Sequence, residues 1–417
     1  MPSFFESFPL RVLRVYAAHF LASIGSNLFL PAFFFYAHDI FGWGARRNLM
    51  LAAAEGIVYM IGALSAQKLA RVAGRRRGSM IVQFTAGCIA VVAGLHPSPL
   101  IVTPAVLAYT MVSAAGWPIF ESLISGGAGP DLMSRRVGAY NLVWSFVGAA
   151  TLAVSGTIIH DFPWGMFLLP AAAHGVAILL LFFGNIEPPA TPAAADALPA
   201  HPQAEPALLR ERKLALQLSR IGLPATYVVV YSLVAIMPSL PVIRMLGTSS
   251  QTVIASVWMA SRFAAFVVLG GTVWWHTRPR VLLIAAVVML VAFLGVTLRP
   301  ADILGNPAAP ANGLDEGLMV LAQVFLGLSM GMIYAGSLYF GMVLSEGSTE
   351  HGGYHEALIG LGQMVGTAAA AAAQTAWPGT DRAAVGAVAV IVGISVIAAA
   401  LLVAKNARKK PAPNEAH

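Results

Sequence analysis

The chain is poor in the residues on which most soluble chemistry relies. One cysteine, Cys88, stands among 417 residues, so no disulfide can form within the chain and no cysteine metal cluster can be built. Its place inside an apolar run predicts a small, buried packing residue. Charged side chains make up 10% of the sequence, against roughly 25% in ordinary soluble domains, which excludes a conventional hydrated surface. A Gly-x4-Gly-Lys-Ser/Thr phosphate loop is absent, so ATP-driven work would need another subunit. The His355-Glu356 pair begins like a zinc-binding helix, but the second histidine required one turn later is replaced by Ile359. Metal ligation by that pattern fails, and neither a metal site nor a cofactor is expected.

What is present is apolar sequence. Hydrophobic residues make up 58% of the chain and the mean hydropathy is +0.75, more apolar surface than a soluble core absorbs. Runs such as Val281 to Leu298 and Val385 to Ala404 approach the ~20 residues that cross a hydrocarbon core as a helix. Read between turn and charge clusters, spans are predicted at 14–37, 48–69, 78–95, 100–125, 136–159 and 165–186, then at 218–246, 250–275, 280–298, 316–345, 354–377 and 382–404. The predicted fold is all-α: a polytopic membrane protein with 12 transmembrane helices in two pseudo-symmetric six-helix halves. The halves occupy 1–186 and 218–405, joined by a Pro/Ala-rich and then basic cytoplasmic linker at 187–217 and followed by a cytoplasmic tail at 406–417. Prolines in the long first and seventh spans predict kinks there.

The basic balance, with a pI near 9.7, is explained by topology and not by a nucleic-acid partner. With both termini in the cytoplasm, only Arg46, Arg47, Arg299 and Arg382 fall outside, Arg244 and Arg262 lie within spans, and nineteen of the 25 Lys and Arg residues face inward. That bias is the positive-inside pattern of a multi-pass protein of the cytoplasmic membrane. The opening residues run into the first span without a small-residue cleavage site, so the first helix is expected to act as its own insertion signal.

The halves echo one another. At a shift of 214 residues, Gly138 meets Gly352, Tyr140 meets Tyr354, Asn141 meets His355 and Gly148 meets Gly362. Two halves related in this parallel way place a solute site near the midplane between them.

The 6+6 arrangement, the central basic linker and the loop "GALSAQKLARVAGRRRG", with Gly62, Gly74, Arg75 and Arg76, resemble the major facilitator superfamily over essentially the whole chain. Ala66 and Gln67 stand where that family's loop carries an acidic residue, and the helix-5 antiporter pattern is reduced to "GAATLAVSGT", with Leu152 and Ala153 in place of Gly-Pro. The resemblance implies a small-molecule substrate and a cavity lined by spans 1, 4, 7 and 10. Those spans offer His19 and Asn27, Trp117 and Glu121, Tyr227 and Tyr231, and Gln323 and Tyr334.

An ionised side chain in hydrocarbon costs at least ~2.5 kcal/mol, so each one there needs a partner, water or a task. Glu55, Glu121, Arg262 and Glu356 are such residues. Glu55 and Arg262 fall at similar depth in the two halves and read as a proton site and an anion anchor, or as an interhelical salt bridge. Arg75, Arg76, Asn141, His355 and Glu356 form a candidate inner gate. There Glu356 either latches onto a basic residue of the second loop or serves as a first-turn acid favoured by the helix dipole. Gln363 follows on the same face, while Gly362 and Gly366 form a small-xxx-small packing surface. The expected function is secondary active transport by alternating access, proton-coupled, in a monomer and without enzymatic activity. The alternatives are a non-transporting sensor or assembly factor, or a membrane enzyme using the thin His351, His355 and Glu356 cluster.

Overall fold

Within hydrocarbon a backbone N–H or C=O finds no water, so an apolar run of crossing length must close its hydrogen bonds internally as a helix. Twelve segments have that character: Leu10–Phe41, Ala45–Ala73, Arg75–Leu95, Pro99–Ser125, Arg135–Asp161, Gly165–Phe182, Arg210–Arg244, Thr248–Gly270, Arg280–Thr297, Gly313–Gly341, Gly353–Ala376 and Arg382–Arg408, spans 1 to 12 in chain order. The structure, a computed structural model, describes residues 8–126, 130–183, 186, 206–345, 349–378 and 381–408. Among the described residues there is no strand. Of the expected linker, 187–205 lies outside the described residues. Its remainder belongs to the helix Pro206–Ile236, because the basic stretch has helical spacing and continues span 7. The last helix runs to Arg408, and the rest of the expected tail lies outside the described residues.

Enclosure ranks the helices. The most apolar window of span 7 is 83% buried and that of span 1 is 72% buried, against 17% for span 12. Spans 1 and 7, the first helix of each half, are therefore central, and span 12 is peripheral. Both central spans break near the same end of the bundle, the end that carries the turn between spans 1 and 2. Span 1 divides into Leu10–Phe29 and Phe33–Phe41 around Pro31. Span 7 passes from its long helix through a 3-10 turn, Met237–Ser239, into Pro241–Arg244. Proline removes a helix donor and clashes with the preceding turn, so Pro31, Pro238 and Pro241 account for both breaks.

The halves meet along two matching seams, span 2 against span 11 and span 8 against span 5. Exchanging the halves turns one seam into the other. Side chains would hold these helices apart. A Cβ on Gly56 would strike the backbone nitrogen of Met364, and one on Gly360 would lie 3.0 Å from the Gly56 carbonyl oxygen. On its other side span 11 meets span 7, where a Cβ on Gly362 would strike the Pro224 carbonyl and one on Gly366 would lie 2.7 Å from Val228 Cα. A Cβ on Gly148, the counterpart of Gly362, would lie 3.1 Å from Asn27 Oδ1 of span 1, so the repeat in the sequence is also a repeat in space. Gly74, with φ +81°, lets span 2 end and span 3 start within one residue, a conformation that other residues adopt at a cost. Cys88 does not pack in the interior as expected. It lies on the exposed face of span 3, because the buried side of that helix is formed by Val82, Gln83, Ala86 and Ala90.

Outside the spans, the loop between spans 9 and 10 is pinned by charge. Asp302 accepts from Arg299 Nη2 at 3.0 Å and from Arg382 Nη2 at 2.8 Å, and its other oxygen caps the Arg299 backbone N–H at 2.9 Å. Burial raises the Asp302 carboxyl, but hydrogen bonds from the Arg299 side chain and backbone and from Arg382 outweigh it and hold the group at about 2.

Two stability predictions follow from this packing. Gly362→Leu forces a branched side chain against the Pro224 carbonyl and destabilises by about 3 kcal/mol, whereas Gly386→Leu, which meets nothing within 4 Å, is neutral in the same detergent unfolding assay. The Asp302 carboxyl titrates near 4 when unfolded and lower when folded, so its stabilisation is present above about pH 4 and lost as pH falls towards 2. Asp302→Asn accordingly lowers the unfolding temperature at neutral pH, and its difference from the wild type closes on acidification.

Candidate functional site: a cavity on the seam between the halves

The broken ends of spans 1 and 7 are drawn together by one residue. Asn48 at the start of span 2 is fully buried, and its side-chain nitrogen donates to the Phe34 carbonyl of span 1 and to the Ala235 carbonyl of span 7, both at 3.2 Å. On the other seam Thr252 of span 8 accepts from the Gly156 N–H of span 5 at 2.9 Å and donates to the Ala153 carbonyl at 3.1 Å. Three of these four bonds cross between the halves and tie them at the first-loop end of the bundle, while the Asn48–Phe34 bond anchors span 2 to span 1 within the first half.

Below that closure the halves enclose a cavity of about 140 Å³. From the first half come Ser23, Ser26 and Asn27 of span 1, Tyr59 of span 2, Trp117 of span 4, and Tyr140 and Trp144 of span 5. From the second half come Tyr227 and Tyr231 of span 7, Trp258 and Arg262 of span 8, Tyr334 of span 10 and Glu356 of span 11. Arg262 is 5% exposed, and its guanidinium lies over the Trp144 ring at 4.6 Å and the Trp258 ring at 5.0 Å. Aromatic faces attract a desolvated cation by their quadrupole, worth about 2 kcal/mol at such a site. Trp144 is itself steered by a hydrogen bond from its Nε1 to Asn141 Oδ1 at 3.0 Å and by edge contacts with Tyr334 and Phe266.

The carboxyls sit on and beside the wall. The Tyr59 hydroxyl donates to Glu356 Oε2. One turn earlier on span 2, Glu55 Oε2 accepts from Gln363 Nε2 at 3.2 Å, while Glu55 Oε1 has no hydrogen-bond partner. Residues 55 and 59 on one helix and 356 and 363 on the other thus form two rungs across the glycine-lined seam. Glu121 Oε1 is likewise unpartnered. Among the described residues no ion pair involves Glu55, Glu121, Glu356 or Arg262, so the salt bridge anticipated between Glu55 and Arg262 is not formed.

Of the residues singled out by sequence, Asn27, Trp117, Tyr227, Tyr231, Arg262, Tyr334 and Glu356 share the cavity wall. His19, Glu55, Glu121 and Gln323 are not among its lining residues. His19 is stacked on Tyr140 at 4.1 Å, and Gln323 is fully buried with both amide atoms unpartnered. The gate set divides. Arg75 borders a groove at the linker end together with Arg71, Gly353 and Tyr354. Arg76 instead donates to the Leu181 carbonyl at 2.9 Å and to the Phe182 carbonyl, closing the end of span 6 within its own half, since those last-turn carbonyls have no helical donor. His355 contacts Ser337 Oγ at 3.3 Å. Glu356 is not a first-turn acid, because its helix starts at Thr349, and its hydrogen-bond partner is Tyr59 and not a basic loop residue. His351 has no described side chain, and His355 and Glu356 are buried helical residues instead of an exposed loop cluster.

Tyr59, Tyr140, Trp144 and Trp258 were not singled out as cavity residues. A usable signal existed: Tyr59 follows Glu55 by four, Trp258 precedes Arg262 by four, and Tyr140 and Trp144 are four apart, each pair on one helix face.

A twelve-helix bundle whose two halves close around a cavity on their shared seam has the fold of membrane transporters. The chain belongs to the Major Facilitator Superfamily, which it matches over residues 15–351. Similar solved structures include the xylose transporter XylE from E. coli in a partially occluded inward-open conformation, with a TM-score of 0.69, 13% identity, and coverage of 97% of this chain and 98% of that one. A variant of the nucleoside transporter NupG aligns at a TM-score of 0.68 with 11% identity, covering 94% of this chain and 99% of that one. The human organic anion transporter TETRAN aligns at 0.62 with 13% identity, covering 95% and 100%. At these identities the likeness is one of fold. No curated protein matches the chain.

Asn48→Ala removes both bridges from span 2 to the broken ends of spans 1 and 7. The expected outcome is faster labelling of a cysteine introduced as Ser26→Cys by a hydrophilic maleimide applied from the first-loop side, while Asn306→Cys in an exposed loop labels at an unchanged rate.

Proposed function

We propose that the protein is a secondary active transporter that moves a small solute across the cytoplasmic membrane by alternating access, coupled to protons. The observation that carries this reading is the placement of the cavity. Its wall is shared by the two halves, so rocking one half against the other opens it to one side or the other without dismantling either bundle. The glycine contacts along the span 2 and span 11 seam suit such rocking, since they leave few side chains to disengage besides the Tyr59–Glu356 and Gln363–Glu55 hydrogen bonds. Arg262 is the solute anchor. Glu55, Glu121 and Glu356 are buried carboxyls without a cation partner, so each exchanges between a charged and a neutral form whose relative cost changes with hydration of the cavity. Xylose, nucleoside and organic anion transporters share the fold, and none of their solutes is assigned to this chain on that ground.

The finer features belong to the same reading. The halves are 1–186 and 218–405, the termini and linker are cytoplasmic by the distribution of Lys and Arg, and the working unit is a monomer. The first-loop end, closed by Asn48 and Thr252, is then the outer face, and Arg75 stands at the inner gate opposite the start of span 11.

Paired spin labels test this directly in a Cys88→Ser background. Arg46→Cys with Met245→Cys reports the first-loop end, and Arg77→Cys with Tyr354→Cys reports the linker end. The expected result is two distance populations at each end, changing in opposite directions between neutral and acidic pH, with the pH response lost in Glu55→Gln and Glu356→Gln. A single unchanging distance at both ends under all conditions would overturn the reading.

A further inference from the structure

The cavity's demand for a ligand is concentrated at one place. Arg262 is buried, forms no ion pair, and has an Nε without a hydrogen-bond partner. The two indoles around it hold its position but supply no acceptor. One turn earlier on the same helix, Trp258 is fully buried and its Nε1–H is also unpartnered, although both residues belong to the cavity wall. A buried donor left without an acceptor is costly, and more so when charged. Two unpartnered donors four residues apart on one helix, one of them cationic, are a basis for holding an anion that accepts at two oxygens.

The rest of the wall limits the body that carries this anion. Trp117, Tyr140, Trp144, Tyr227, Tyr231 and Tyr334 present ring surface, with Ser23, Ser26 and Asn27 of span 1 adding polar groups, a wall that suits a flat ring. The free volume of about 140 Å³ is close to that of an apolar cavity that accepts one benzene molecule, so a single ring fits. The other ionisable wall group, Glu356, already accepts from Tyr59.

We propose that the cavity binds a planar monocarboxylate about one ring in size, its carboxylate on the Arg262 guanidinium and the Trp258 N–H and its ring among the wall aromatics. This rests on the transporter reading of the same cavity and names its solute class.

The test uses the full-length protein in detergent with benzoate as the probe, read by thermal unfolding, because a ligand that binds only the folded state stabilises by mass action. Benzoate is expected to raise the unfolding temperature in a saturable way at mildly acidic pH. Benzamide, which keeps the ring and loses the charge, benzylamine, which reverses the charge, and acetate, which lacks the ring, are expected to be at least tenfold weaker or inert. Arg262→Gln abolishes the shift, and Trp258→Phe, which keeps a ring and removes the donor, weakens benzoate about tenfold, the size of a hydrogen bond to a charged group. Each variant is first shown to be folded by its own unfolding transition, and the ligand series on the wild type decides the matter even if a variant does not fold. Absence of a benzoate shift, benzamide or benzylamine acting as strongly as benzoate, or a shift that survives Arg262→Gln would overturn the proposal. The spin-label distances separate the two levels. Alternation without benzoate binding removes the solute class and leaves the transporter, and benzoate binding to a bundle that never alternates removes the transporter and leaves the carboxylate site.

Discussion

Spans 2 and 11 touch backbone to backbone at Gly56 and Gly360, and the candidate site is organised around that close approach. Two helices this near bring short polar side chains into register across the seam, so Glu55 reaches Gln363 and Tyr59 reaches Glu356. Bulkier residues at the glycines would push the helices apart and strand both carboxyls in an apolar interior, where an unpaired charge is costly. The other side of the same helix presents Gly362 and Gly366 to span 7, so small residues on two faces let span 11 lie against both halves at once.

The second organising feature is an aromatic enclosure around one cation. Most buried arginines are held by carboxylates, as Arg299 is by Asp302 outside the spans. Arg262 is held by indole faces instead, which keeps it ordered while leaving its donors available. The contrast separates two uses of charge in one chain. In the loops it staples helix ends together, and in the cavity it is kept without a counter-ion.

The closure at the first-loop end ties these parts together. Proline breaks in spans 1 and 7 bend the two central helices inward, and Asn48 bonds to a carbonyl in each. A break in one helix would expose unsatisfied backbone. Two breaks meeting at one buried amide satisfy part of that need and join the halves at the same time.

The fold was legible in the sequence because hydrocarbon allows an apolar run few alternatives to a helix. Twelve runs of crossing length, the Gly138/Gly352 repeat and the loop around Gly74 were enough to determine the helix count, the two halves and the family. The family resemblance pointed to Trp117, Tyr227, Tyr231 and Tyr334 as cavity residues, and the cost of a charge in hydrocarbon singled out Arg262. What only the tertiary structure decided is which inward residues meet. His19, Glu121 and Gln323 stay out of the cavity lining, Arg76 turns to its own half, and Cys88 faces outward. Glu356 proved to be a cavity group bonded to Tyr59 instead of a helix-end charge, and Tyr59, Trp144 and Trp258 joined the wall. The physical reason is that a helix's sequence sets its faces, while the neighbour each face meets depends on backbone approach at glycines and on bends at prolines, which couple residues hundreds of positions apart.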